Sequence, residues 1–137
     1  MNGSSEKAKK LLVEKTTFVL INGETVRVSE KSGIAPIMEL LAENPEIFKG
    51  AYAADRVTGR AAALLLAFGR IKELYTALIS RAAVSALEEN GVAFFAEREV
   101  LRITDRSGTG LCPMEEAVMR VSSPGEAYGV LRKLTGK

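Results

Sequence analysis

Two side chains in this sequence could carry out chemistry, the carboxyl group of Asp55 and the thiol of Cys112. A carboxylate can accept a hydrogen bond or act as a base, and a thiolate is a nucleophile. Pro113 favours the first position of a helix, so Cys112 is predicted to lie at a helix N-terminus, where the pKa of a thiol falls below its usual value of about 8.5. Asp55 and Cys112 are therefore the candidate catalytic residues.

Each of these two residues also has a purely structural interpretation. An aspartate shortly before Thr58, where a helix is predicted to begin, is a common helix N-cap. A lone cysteine is among the side chains most often buried as a small apolar group. Both interpretations stay open from the residues alone.

A second set of residues could hold an anionic part of a ligand. Arg56 and Arg60 are spaced by one helical turn, so both guanidinium groups can face one phosphate or carboxylate. The tripeptide Gly108-Thr109-Gly110, with Arg106 close to it in sequence, can aim several backbone N–H groups at an anion. Gly59 has no side chain, so the start of the nearby helix can approach the sheet or a bound ligand closely. A solvated helix face and an ordinary loop are the alternatives.

The residue inventory excludes several kinds of site. The chain of 137 residues contains no histidine and one cysteine. Without histidine there is neither a Ser-His-Asp triad nor a zinc site of the His₂Glu or His₃ type, and we predict no metal and no cofactor. One cysteine cannot form an internal disulfide, which favours a reducing compartment.

Charge and hydropathy limit the partners of the chain. The net charge is only +2, and no basic stripe with interleaved aromatic residues is visible, so no nucleic-acid partner is predicted. The longest apolar run, residues 61–68, is far shorter than the roughly twenty residues that cross a bilayer. The N-terminus offers no hydrophobic signal core. We predict a cytoplasmic protein without membrane association.

Alternating strand and helix patterns indicate the fold. Asn22-Gly23 between two strand patterns predicts a hairpin with a tight turn. Further along, strands separated by helices imply parallel pairing with right-handed crossovers. Strands are predicted at residues 17–21, 24–28, 51–54, 74–79 and 92–95, and helices at residues 7–13, 34–41, 58–68, 82–89, 113–120 and 126–134. The predicted fold is α/β, a three-layer α/β/α arrangement with a mixed sheet made of the N-terminal hairpin plus a parallel βαβαβ unit.

Length and composition predict one domain over residues 1–137, with residues 1–5 as a frayed tail. Apolar residues make up 47% and charged residues 26% of the chain, which is ordinary globular usage. In open α/β sheets, ligands bind beyond the carboxyl ends of the parallel strands. Asp55 and Arg56 follow the third predicted strand, and residues 106–113 lie beyond the fifth. Both candidate sets are therefore expected at one edge of the sheet.

Two stretches, together with the order of the elements, resemble a known family over nearly the whole chain. They are Ala54-Asp55-Arg56-Val57-Thr58-Gly59-Arg60-Ala61-Ala62-Ala63 and Arg106-Ser107-Gly108-Thr109-Gly110-Leu111-Cys112-Pro113-Met114-Glu115. The sequence resembles an uncharacterised domain-of-unknown-function family, and the resemblance implies a cytidine-deaminase-like fold.

The resemblance does not extend to the zinc-binding motifs of active deaminases. Those enzymes carry His-x-Glu at one helix start and Pro-Cys-x-x-Cys at another, and the glutamate relays protons to a zinc-bound hydroxide. By motif position, Asp55 replaces the histidine and Val57 the glutamate. Cys112 keeps one thiolate, and Glu115 stands where the second cysteine would be. Since such a ligand set binds zinc poorly, the resemblance implies the fold and the pocket but not a conventional zinc-dependent deaminase.

These observations lead to one functional hypothesis and two alternatives. We expect a small-molecule pocket for a nucleotide-like or otherwise anionic metabolite, with Glu115 among its ligand-binding residues and Cys112 as a nucleophile. The first alternative is a non-catalytic ligand-sensing module that reuses an enzyme fold. The second is a protein-interaction domain, such as a homo-oligomer formed through the helix at residues 61–68. The sequence leaves open whether the protein is an enzyme.

Overall fold

A computed structural model of the protein describes residues 3–103 and 113–136, and all structural statements below concern these residues. They form five strands and six α-helices, with one short 3₁₀ helix, Pro45–Phe48. The strands are β1 (Phe18–Asn22), β2 (Thr25–Ser29), β3 (Tyr52–Thr58), β4 (Glu73–Ser80) and β5 (Ala93–Val100). The helices are α1 (Gly3–Leu11), α2 (Ala35–Glu43), α3 (Arg60–Gly69), α4 (Arg81–Glu89), α5 (Pro113–Ala117) and α6 (Pro124–Thr135).

The five strands form one mixed sheet in the order β2-β1-β3-β4-β5. β1 is antiparallel to both β2 and β3, whereas β3, β4 and β5 are parallel neighbours. α3 and α4 connect the parallel strands, as a right-handed crossover requires a helix between them. The predicted α/β fold with a mixed sheet is thereby confirmed.

The hairpin is confirmed, but its turn lies one residue later than predicted. Asn22 still pairs with Thr25, so Gly23 and Glu24 form the turn, and Gly23 has a φ of 62°. The side-chain amide of Asn22 donates hydrogen bonds to the carbonyl oxygens of Ile47 and Lys49, at 2.9 and 3.0 Å. These bonds hold Asn22 as a strand residue.

The two faces of the sheet are covered unequally. On one face α1 packs with Ala8 against a small cluster that contains Val19, Ile21, Ala54 and Tyr75. On the other face lies the main core, in which α3 is buried from Ala61 to Leu66 and contacts α2, α4 and α6. The predicted helices on both faces are present, with most of the apolar burial on the α3 face.

Several predicted element boundaries were wrong, because strand pairing and tertiary contacts extend beyond the local sequence pattern. β3 continues to Thr58, where it pairs with Ile79 of β4, and does not end at residue 54. β5 runs to Val100, paired with Ser80, and does not end at residue 95. Residues 3–5 belong to α1 and not to a frayed tail, since the Ser5 hydroxyl is buried and donates to the Glu73 carboxylate.

Helix α3 also begins later than predicted, with Gly59 at its N-cap and Arg60 as its first residue. Arg56 therefore lies in a strand and Arg60 in a helix, so the two arginines are not one helical turn apart. In the described part of the chain, no helix is both long enough and apolar enough to cross a membrane.

Candidate functional site

Asp55 lies within β3 and not in the loop that follows a strand. It pairs with Phe18 of β1 on one side and with Thr76 of β4 on the other. Only 6% of the residue is exposed. A helix N-cap role for Asp55 is excluded by this position, because the N-cap of α3 is Gly59, four residues later, and the helix begins at Arg60.

The carboxyl group of Asp55 contacts two buried threonines in series. Thr58 Oγ1 lies 3.1 Å from Asp55 Oδ2 and 2.8 Å from Thr76 Oγ1. The Thr76 hydroxyl in turn lies 3.0 Å from the carbonyl oxygen of Leu78 and is oriented to donate to it. Both threonines are fully buried, so bulk solvent does not reach their hydroxyl groups.

Burial raises the pKa of Asp55 from an ordinary value of 3.8 to about 7. Removal from water penalises the charged carboxylate, and this effect outweighs the hydrogen bonds that Thr58 and the backbone N–H groups of Arg56 and Val57 can donate to it. A carboxyl with a pKa near 7 exchanges its proton at neutral pH, as a general acid or base requires.

Asp55 lines a cavity of about 320 Å³ at the carboxyl end of β3. This volume lies at the lower end of the range for small-molecule sites, roughly 300–1,000 Å³. Apolar side chains make up most of the wall, with a few polar groups among them, which is the usual composition of such sites. The lining residues are Thr17, Ser32, Gly33, Ile34, Asp55, Arg56, Val57, Gly59, Ala61, Ala62, Ile103, Met114 and Glu115.

Glu115 reaches the cavity from α5, and its carboxylate binds the first turn of α3. Oε1 accepts a hydrogen bond from the backbone N–H of Arg60 at 2.7 Å, and Oε2 accepts one from Ala61 at 2.8 Å. A Cβ atom at Gly59 would lie 2.6 Å from the Glu115 carboxyl carbon, so glycine is needed for this close approach. Glu115 thus satisfies N–H groups that a helix start leaves free.

The two arginines predicted to bind an anion instead bind backbone carbonyl groups. The guanidinium group of Arg56 donates to the carbonyl oxygens of Thr16 at 2.6 Å and Glu14 at 2.7 Å. It fixes the segment between α1 and β1. Although Arg56 lines the cavity, its donors are directed at this segment.

Arg60 holds the segment that follows α5. Its guanidinium group donates to the carbonyl oxygens of Val118 at 3.1 Å and Val121 at 2.7 Å. Together with the Glu115 carboxylate, it ties the chain from α5 onwards to the start of α3.

Sequence reasoning missed Thr58 and Thr76. Thr58 was interpreted as a helix start, although it is the last residue of β3. Thr76 carries a hydroxyl group in the middle of an otherwise largely apolar strand. A polar residue at a buried strand position requires a hydrogen-bond partner, and this signal could have linked Thr76 to a neighbouring polar side chain.

Several predicted site residues lie outside the described residues. They are Arg106, Gly108, Thr109, Gly110 and Cys112. The flanking residues Ile103 and Met114 both line the cavity. Within residues 3–103 and 113–136, no group of three or more potential ligand side chains could hold a metal ion.

Comparisons with known proteins identify the family. The model of the family described as TM1506, domain of unknown function (DUF1893), matches residues 6–134. The crystal structure of a DUF1893 family protein, TM1506 from Thermotoga maritima, is similar with a TM-score of 0.89 and 22% sequence identity, over 98% of this chain and 91% of that one. A search of curated proteins gave no match. The structural likeness shows the shared fold, and the family match shows that this chain belongs to the DUF1893 family.

Proposed function

We propose that the protein binds a small, nucleotide-like molecule in the cavity beside Asp55. The observation that carries this proposal is a buried carboxyl with a pKa of about 7 in the wall of a largely apolar cavity. Perturbed titratable groups in concave sites are typical of functional centres.

The polar lining favours a ligand that presents N–H groups to Asp55. A carboxylate only accepts hydrogen bonds, and the nitrogen donors of a heterocyclic base complement it. The guanidinium groups of Arg56 and Arg60 are directed at backbone carbonyl groups. In this proposal, an anionic part of the ligand lies on the side of the cavity bordered by Ile103 and Met114. Arg106 and the Gly108-Thr109-Gly110 tripeptide are its proposed contacts.

The proposal includes a cytidine-deaminase-like fold and a catalytic role for Cys112. The order of an antiparallel hairpin followed by three parallel strands supports such a fold. Cys112 is the proposed nucleophile and Asp55 the proposed base, and no step of this chemistry requires a metal.

A thermal-shift screen of the full chain against nucleosides, nucleotides and sugar phosphates tests the binding proposal. A ligand at a hundred times its dissociation constant stabilises the folded state by about 2.7 kcal/mol. We expect this stabilisation to be lost in Asp55→Ala and retained in Glu89→Ala, a matched control on the exposed face of α4. A panel without any stabilising compound, or equal stabilisation of Asp55→Ala, would contradict the proposal.

Cys112→Ser separates catalysis from binding once a ligand is found. An enzyme that uses the thiol as its nucleophile loses turnover in this variant and keeps nearly all of its ligand affinity. Binding that persists without product formation in the wild-type protein would favour the ligand-sensing alternative.

A further inference from the structure

The three contacts that connect Asp55 to Leu78 need more protons than the two threonines supply. The contacts are Asp55 Oδ2 to Thr58 Oγ1, Thr58 Oγ1 to Thr76 Oγ1, and Thr76 Oγ1 to the carbonyl oxygen of Leu78. Each contact needs one hydrogen, and each hydroxyl group carries one. All three contacts are hydrogen bonds only when the third proton lies on Asp55.

The direction of this chain depends on the charge of the carboxyl. With Asp55 protonated, Oδ2 donates to Thr58, Thr58 donates to Thr76, and Thr76 donates to the carbonyl oxygen of Leu78. With Asp55 ionised, Thr58 must donate to the carboxylate, and the one proton of Thr76 serves either Thr58 or the carbonyl oxygen of Leu78, so one of these two hydrogen bonds is lost. Both hydroxyl groups are fully buried, and a lost buried hydrogen bond is costly because no water replaces it.

We infer that Thr76 is a positioning residue that draws the hydroxyl proton of Thr58 away from Asp55 and thereby favours the protonated carboxyl, with its proton on Oδ2. Ionisation sends this proton to solvent or to a ligand and turns the Thr58 hydroxyl group toward the carboxylate. Burial is the main cause of the raised pKa of Asp55, and a hydrogen bond donated by Thr58 lowers this pKa, so Thr76 acts by withdrawing that hydrogen bond.

The charged side chains around the cavity are bound to other groups, so they do not take over the role of the two threonine hydroxyls beside Asp55. Arg56 follows Asp55 in β3, but its guanidinium group is bound to the carbonyl oxygens of Glu14 and Thr16. From α5, the Glu115 carboxylate is bound to the first N–H groups of α3. From α3, the guanidinium group of Arg60 is bound to carbonyl groups beyond α5.

The inference adds a consequence for ligand binding. A ligand that donates an N–H group to Asp55 favours the ionised carboxyl and releases a proton, so its affinity rises as the pH rises through about 7. This consequence rests on the proposed function. The hydroxyl chain itself is tested without any ligand, so the two proposals can fail separately.

The test is an NMR titration of the Asp55 carboxyl carbon in the full chain, compared among the wild type and valine variants. Thr76→Val leaves the Thr58 hydroxyl with the carboxylate as its acceptor, which favours ionisation. We expect it to weaken the proton affinity of Asp55 about tenfold, the equivalent of one pKa unit. Thr58→Val removes the donor to the carboxylate, and we expect it to strengthen the proton affinity by a similar factor.

Opposite shifts in the two valine variants support the inference. Burial alone predicts that both variants raise the pKa of Asp55, because each replaces a hydroxyl with a methyl group. A rise or no change in Thr76→Val would therefore overturn it. Thr58→Ser and Thr76→Ser keep the hydroxyl groups and should titrate like the wild type. If Thr58→Val does not fold, the comparison of Thr76→Val with Thr76→Ser decides by itself. If Thr76→Val does not fold, Thr76→Ala replaces it.

Discussion

The cavity has a sheet side, where Asp55 of β3 lines it, and a helix side, where Glu115 of α5 lines it. The two carboxyl groups lie in different environments. On the sheet side, Asp55 is buried between strands, and burial raises its pKa to about 7. On the helix side, Glu115 accepts hydrogen bonds from two backbone N–H groups at the start of α3, where the helix dipole favours a negative charge. The contrast teaches that the Asp55 carboxyl can exchange a proton near neutral pH, whereas the Glu115 carboxylate is held by backbone hydrogen bonds at the start of α3.

The largest expected effect is the pH dependence of stability that Asp55 creates. The folded chain binds the Asp55 proton with a pKa of about 7, against 3.8 without burial. As the pH rises from about 4 towards 7, the unfolded chain releases this proton while the folded chain retains most of it, so stability falls by about 3 kcal/mol. We expect Asp55→Asn, whose amide resembles the protonated carboxyl, to lack this fall.

Urea unfolding between pH 4 and pH 8 measures the effect. Asp55→Asn should match the wild type near pH 4 and exceed it in stability at pH 8. Glu89→Gln, an exposed carboxyl on α4, is the control and should keep the wild-type dependence. If the free energy of unfolding depends on pH equally in Asp55→Asn and in the wild type, the raised pKa of Asp55, and with it the contrast between the two sides, is refuted.

A smaller effect is expected on the helix side. Glu115→Ala leaves the N–H groups of Arg60 and Ala61 without their acceptor, and we expect a loss of about 2 kcal/mol in the free energy of unfolding. Glu115→Gln keeps one good acceptor oxygen and should lose about half as much. Urea unfolding at pH 7 gives both values. An unchanged unfolding midpoint in Glu115→Ala would refute a structural role for this carboxylate.

The smallest effect is expected from Gly59→Ala. The new Cβ would lie within 2.7 Å of both Glu115 carboxyl oxygens, while the backbone φ of −96° suits alanine. The side chain of Glu115 must shift, and we expect a loss of about 1 kcal/mol. In the Glu115→Ala background the same change should cost almost nothing, because the clash is gone. Equal losses in both backgrounds would mean that Gly59 is needed for another reason.

The parts of the fold that depend on local pattern were predicted from the sequence. The hairpin and the alternation of strands with helices gave the mixed sheet, because period-two and helical patterns are local signals. The ends of β3 and β5 were not predicted. Residues 96–99 of β5 read as a polar segment, and only pairing with β4 makes them a strand.

The site was predicted less completely than the fold. Asp55 was identified because it follows the third predicted strand, at the edge of the sheet where ligands bind in open α/β folds. The partners of the arginines were not identifiable, since Val121 lies 61 residues from Arg60 and Thr16 lies 40 residues from Arg56. The local spacing of the two arginines suggested that they bind one anion. In the structure their guanidinium groups instead donate to backbone carbonyl groups that are distant in the sequence.

Among the described residues, α1 is the one helix that covers its face of the sheet, whereas the other face carries the main core. The two faces should therefore differ in how easily they unfold locally. In α1 only Ser5 and Ala8 are buried, and the cluster that it covers on the sheet is much smaller than the main core, so its detachment exposes less apolar surface than opening of the main core does. Helix α3, buried along most of its length, can lose its hydrogen bonds only when the main core comes apart. Amide protons in α1 therefore exchange with solvent through local opening, while those in α3 report global unfolding. The chain can fray at its N-terminal helix while the core behind the cavity stays closed.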